Sequence, residues 1–187
     1  MATSEVSICN GALTLLGAER IASLADTSKR GLLCAERYPK VRTQLLSMHP
    51  WKFALAQAEL AADDDVPTGH WEYAYAFTEP ADCLRVLELD GGVAWSSEGG
   101  KIFCDSSPIF IRYIKNETDV SKYSAYFDRA LELCLAFDIC YSLTQSSEAV
   151  KAIKSQMDDA IAQARSFSAQ TTSAKLVEAD DWLYARL

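Results

Sequence analysis

At 187 residues, with 49% hydrophobic and 24% charged side chains, the chain has the size and make-up of one globular domain, and neither a disordered nor a membrane protein fits that balance. A formal charge of −8 argues against a protein that grips nucleic acid by displacing counterions, although a ring can keep one face acidic and another basic. The longest apolar run, 131–141, is broken by Glu132 and Asp138 and falls short of the roughly 20 residues a membrane span needs.

The opening Met-Ala-Thr-Ser-Glu has no basic start followed by an apolar core, so no signal peptide is expected and the chain reads as made in a cytoplasm. Ser4 can cap a first helix over 4–16, with Val6, Cys9, Leu13 and Leu16 on one stripe and Gly17 as its stop. Asp26 supplies the N-cap oxygen for a second helix over 27–48, in which Leu33, Tyr38, Val41, Leu45 and Met48 share a face. Gly31 weakens its first turn and Pro39 is expected to kink it. His49-Pro50 ends it, since the residue before a proline leaves the helical region, and Trp51, Phe53 and Leu55 then alternate with Lys52, Ala54 and Ala56 as a half-buried strand would. The second helix also carries Arg30, Arg37, Lys40 and Arg42. Two readings stand for these: a solvated face of ordinary surface pairs, or a contact with an acidic face of a neighbouring copy.

Strands are expected within 51–115. Asp63, Asp64 and Asp65 are adjacent, whereas a calcium loop needs acids at alternate positions, a glycine and a later glutamate, so they read as an exposed loop. Trp71, Tyr73, Tyr75 and Phe77 alternate with small or polar residues, a core-facing aromatic row; base stacking would need a basic groove beside it. Asp90-Gly91-Gly92 predicts a hairpin after a strand over 83–89, and Glu98-Gly99-Gly100 a second turn, with Pro108 at a strand start.

Beyond Asn116 the helical period returns. Asp119 or Ser121 can cap a helix over 120–145 that is apolar almost all round and therefore central, and Ser146-Ser147-Glu148 starts an amphipathic, peripheral helix over 147–168. Residues 169–187 form an extended tail, small and polar at first, in which Trp182, Leu183, Tyr184 and Arg186 have the composition of interface anchors. The expected fold is α+β: one domain over 1–168, a four-helix bundle of two N-terminal and two C-terminal helices with a central antiparallel β-meander insertion, followed by the docking tail.

Candidate chemistry is sparse. The histidines are His49 and His70, and neither belongs to a nucleophile or metal pattern; pairing His49 with Cys34 as an activated thiol is the only arrangement that suggests itself. The cysteines, Cys9, Cys34, Cys83, Cys104, Cys134 and Cys140, include no Cys-x-x-Cys pair and read as small buried hydrophobes in a reducing compartment. No catalytic, cofactor or metal residue is expected.

In its order and spacing the chain resembles the head-to-tail adaptors of tailed bacteriophages, in particular the tail tubular protein A family. The resemblance is carried by Asn10-Gly-Ala-Leu-Thr-Leu-Leu-Gly17 with Ile21-Ala-Ser-Leu24, and by Ala35 to Ser47 running into Pro50-Trp-Lys-Phe-Ala54. Further stretches are Tyr73-Ala-Tyr75, Pro80-Ala-Asp-Cys-Leu-Arg-Val86, and the helix after Tyr126-Phe127. It implies a structural virion protein at the head–tail junction, a ring commonly of twelve copies that binds the portal protein and the tail nozzle while genomic DNA passes through the lumen without specific binding. It implies no enzyme activity, cofactor or membrane contact. Trp182, Leu183, Tyr184 and Arg186 would then meet the portal or an adjacent copy, Arg30, Arg37, Lys40 and Arg42 the neighbouring subunit, and the loops carrying Asp90, Trp95 and Glu98 the tail. The alternatives are a small phage-encoded enzyme and a helical DNA-binding regulator.

Overall fold

Ser4 opens the first helix, α1 (Glu5–Leu15), by a reciprocal cap: its hydroxyl accepts from the Ser7 amide at 3.1 Å, and the Ser7 hydroxyl accepts from the Ser4 amide at 2.9 Å. The computed structural model describes residues 4–63 and 72–170. Gly17, at φ 67°, reverses the chain as expected. The connector is then tied back by the Asn10 amide, which donates to the Ile21 carbonyl at 3.0 Å and accepts from the Ile21 amide at 2.8 Å.

The second helix, α2 (Lys29–Met48), is capped by Ser28, not Asp26; Asp26 instead accepts from the Ser28 amide at 2.8 Å and shapes the turn before the cap. Gly31 has a local reason, because a Cβ there would collide with the Asp26 carbonyl. The helix continues through Pro39 to Met48. The expected strand from Trp51 starts later. The Trp51 indole donates to the Leu45 carbonyl at 2.9 Å, tying the chain to the end of α2, so Lys52–Ala54 curls into one 3-10 turn and β1 (Leu55–Leu60) follows it.

The remaining strands are β2 (Tyr75–Thr78), β3 (Cys83–Leu89), β4 (Trp95–Glu98), β5 (Lys101–Cys104) and β6 (Ile109–Lys115). They do not form a meander. The first sheet has the order β1-β6-β3 and the second β2-β5-β4, all pairs antiparallel. Asp90-Gly91-Gly92 therefore makes no hairpin: it carries the chain from the first sheet to the second, with Gly91 at φ 76°. Gly99-Gly100 does close a hairpin, because Glu98 opposes Lys101 and both glycines have positive φ, as a two-residue turn of this hand demands.

Ser124 caps α3 (Ala125–Thr144), while Asp119 caps the separate 3-10 turn Val120–Lys122 that precedes it. Gln145, in the left-handed region at φ 55°, turns the chain into α4 (Ser147–Gln170). The four helices do not assemble as a bundle. α1, α2 and α4 each pack on α3, α1 touches α2 only lightly, and α2 and α4 flank α3 with an apolar slot between them. The cause lies in α3, whose Phe127, Ala130, Leu131, Leu133, Leu135, Ala136, Ile139 and Cys140 are buried around its circumference. A helix apolar on all sides takes partners on all sides.

Two cores result. The helical core includes Trp51, Ala54 and Ile114 from the sheet side, and its junction is an aromatic knot in which Phe127 meets Trp51 at 5.0 Å, Phe53 at 4.8 Å and Tyr123 at 4.9 Å between centroids. The second core, between the sheets, holds Phe77, Val86, Leu89, Ile102, Cys104, Ile109, Ile111 and Tyr113. Irregularities in the β3–β6 register let Leu84 and Leu87 pack on the helical core while Val86 and Leu89 enter the other.

Candidate functional site

Alternation along β6 sends Ile109, Ile111 and Tyr113 into the sheet core and turns Phe110 and Arg112 to the outer face of the first sheet. There Phe110, 51% exposed on the central strand, lies in a shallow cleft of about 440 Å³ with Gln57, Glu59, Glu88, Asp90 and Arg112. Arg112 pairs with Glu88 at 2.6 Å. Three carboxylates against one guanidinium make the cleft acidic, with the ring of Phe110 exposed within it. Of the expected tail-facing residues, Asp90 lines this cleft, Trp95 packs partly against the sheet core, and Glu98 stands at the β4–β5 hairpin, accepting from the Ser96 hydroxyl at 2.8 Å. Asp90 thus follows the first sheet while Trp95 and Glu98 belong to the second.

The basic residues of α2 divide. Arg30 pairs with Glu19 at 2.9 Å, Lys40 with Glu36 at 2.9 Å, and Arg37 lies 3.6 Å from Asp138 of α3 and 3.9 Å from Glu36. The Lys40 hydrogen bond and charge, with Arg37 beside it, hold the Glu36 carboxyl below its ordinary pKa. Arg42 is buried: its guanidinium sits over the Tyr38 ring at 5.7 Å and 3.5 Å from Glu5. Three of the four cations are therefore charge-paired, Arg37 and Lys40 exposed and Arg30 half-buried, and the fourth is part of the α1–α2 packing.

The slot between α2 and α4 is the second concave feature. Val41, Leu45, Met48, Phe137, Met157 and Ile161 line about 220 Å³, with Met48 47% exposed at its rim. Cys134, Gln44 and Asp138 complete the lining: burial pushes the Cys134 thiol up to about 11, so it is neutral there, and Asp138, 3.6 Å from Arg37, gives an otherwise mostly apolar slot a polar edge. Sequence reading missed the cleft and the slot alike. Phe110 and Arg112 were visible in the alternation of 109–114, whereas the slot depends on the spread of α2 from α4. Trp182, Leu183, Tyr184 and Arg186 lie outside the described residues, as do His70 and Trp71.

The suggested thiol chemistry is not assembled. Cys34 faces Cys9 across α1 and α2, and the hydrogen bond between them, with burial, holds the Cys9 thiol protonated. His49 packs edge-on to Trp51 at 4.9 Å, and burial together with the positive charges of Arg165, Lys52 and Arg85 lowers its pKa. Asp63, from the acidic loop, accepts from Lys101 at 2.7 Å and from the Thr78 hydroxyl, pinning the end of the second sheet. Among the described residues no group of His, Cys, Asp or Glu is placed to hold a metal ion, and no helix is long and apolar enough to cross a membrane. No family model matches the chain, and no curated protein matches it at a significant level.

Proposed function

We propose that the chain is a non-catalytic virion protein, the head-to-tail adaptor of a tailed bacteriophage, in which about twelve copies form a ring between portal and tail nozzle. Genomic DNA passes through the lumen without specific binding. The observation that supports this is where the residues of the resemblance sit. Asn10 clamps the α1–α2 connector, Gly11 lets α1 approach the Glu132 side chain of α3, Trp51 and Phe127 form the knot between the layers, and Pro80 accepts the Cys83 amide at 2.8 Å as β3 begins. Each fixes an angle between elements, and none points at a reacting group. That is what a protein with a geometrical task requires.

On this reading Trp182, Leu183, Tyr184 and Arg186 attach each copy to the portal or to a neighbour. Arg30, Arg37 and Lys40 meet an acidic face of the next copy, steering its orientation more than strengthening it. Asp90 and the acidic cleft around Phe110 face the tail. An acidic surface towards the lumen repels phosphates and limits sticking of DNA. A template such as the portal ring sets the rotation that lets head-to-tail contacts close.

Deleting the residues after Ala174 tests the assignment. The shortened chain should keep its helical circular dichroism and lose co-sedimentation with portal rings. Retained co-sedimentation would remove the tail from the contact, and failure of the full chain to sediment with portal would remove the adaptor reading itself.

A further inference from the structure

The apolar slot between α2 and α4 stands where a bundle would have its fourth helix contact, and its rim exposes Met48. We propose that in the free chain this slot holds the chain's own C-terminal segment, with Trp182 as the side chain that enters it. The inference concerns the chain before assembly and does not rest on the adaptor reading.

Size selects a side chain over a separate ligand. About 220 Å³ is below the roughly 300–1,000 Å³ of small-molecule sites and suits one large aromatic ring. The lining suits it too: Phe137 offers a ring partner, and Met48 and Met157 are adaptable thioethers that pack well against aromatic edges. Reach then selects the segment. α4 is described as far as Gln170, and Ile161 and Met157 lie roughly 14 to 20 Å back along it at about 1.5 Å per residue. Trp182 follows Gln170 by a stretch that can extend to about 40 Å, so a reversal over the small, polar 171–175 brings it back with length to spare. Leu176, Val177, Leu183 and Leu187 give the segment further apolar side chains to lay along the slot. A neighbouring copy's segment competes poorly in dilute solution, because a short tether confers an effective concentration on the order of millimolar.

The chain has three methionines, and two of them, Met48 and Met157, line the slot. Carbon-13 methyl-labelled methionine in the full chain therefore reads its occupancy. An indole beside these methyl groups displaces both resonances through its ring current. Trp182→Ala should remove the displacement at every protein concentration, and a chain ended at Gln170 should place the two resonances as W182A does, with unchanged circular dichroism in both. Identical Met48 and Met157 resonances in wild type and W182A overturn the proposal. So does a displacement that grows with concentration, or that unlabelled wild-type chain restores to labelled W182A, because either outcome seats a neighbour's segment in the slot.

Discussion

The helical layer is built around one helix with buried residues around its circumference, and the sheet layer around a thin core shared by two three-stranded sheets. The first spends its apolar surface on three partners and still leaves a slot open between two of them. The second closes its inner face and leaves, on the outer face of the first sheet, an acidic cleft with Phe110 exposed in it. The knot at Trp51 joins the two layers, and each layer carries a concave surface of its own, the slot in the helices and the cleft on the first sheet.

Trp51 belongs to both layers, so its loss should be the most damaging change. Trp51→Ala removes a fully buried indole and its hydrogen bond to the Leu45 carbonyl, and chemical denaturation should show a loss of about 3–5 kcal/mol with both layers weakened together. Ile102→Ala, confined to the sheet core, should cost about 2–5 kcal/mol. Hydrogen exchange should then show β4 and β5 opening while α3 keeps its protection; equal loss in α3 would mean that the two cores are one cooperative unit.

Glu117, just before α3, offers a test by pH. Burial alone would raise its pKa, but the Lys122 ammonium at 2.7 Å and the Asp119 amide outweigh it and hold the carboxyl below its ordinary value. A lowered folded pKa contributes stability that is complete above the unfolded value and is lost as the pH falls through the folded one. Glu117→Gln should therefore cost about 1–3 kcal/mol near neutrality, and urea titrations should show the difference from wild type shrinking in acid. Phe110→Ser should have the smallest effect, within about 0.5 kcal/mol, since the ring is half exposed. A larger loss would place Phe110 in the fold and not on a contact surface.

The helices were legible because their apolar stripes are local: Val41 and Leu45, or Ile153, Ile161 and Ala164, declare their faces without reference to any other element. Caps were legible to within a few residues, with Ser28 and Ser124 taking the places expected of Asp26 and of Asp119 or Ser121. Strand partners were not. Cys83–Leu89 and Trp95–Glu98 are joined by a glycine turn that looks like a hairpin, yet both pair with later strands, a choice made by burial of Ile111 and Phe77 far along the chain. The bundle expectation failed for a related reason. Periodicity shows that α3 is apolar all round but not which flanks its partners occupy. The contact residues follow the same division: Phe110 could be read from strand alternation, while the slot exists only in the spread of α2 from α4.

The central claim is that this chain works by assembling on a ring, and the mass of the purified full chain, alone and mixed with portal rings, tests it most directly by light scattering with negative-stain imaging. A monomer that becomes a ring only on the portal is the predicted result. A chain that stays monomeric and ignores both portal and nozzle would contradict it.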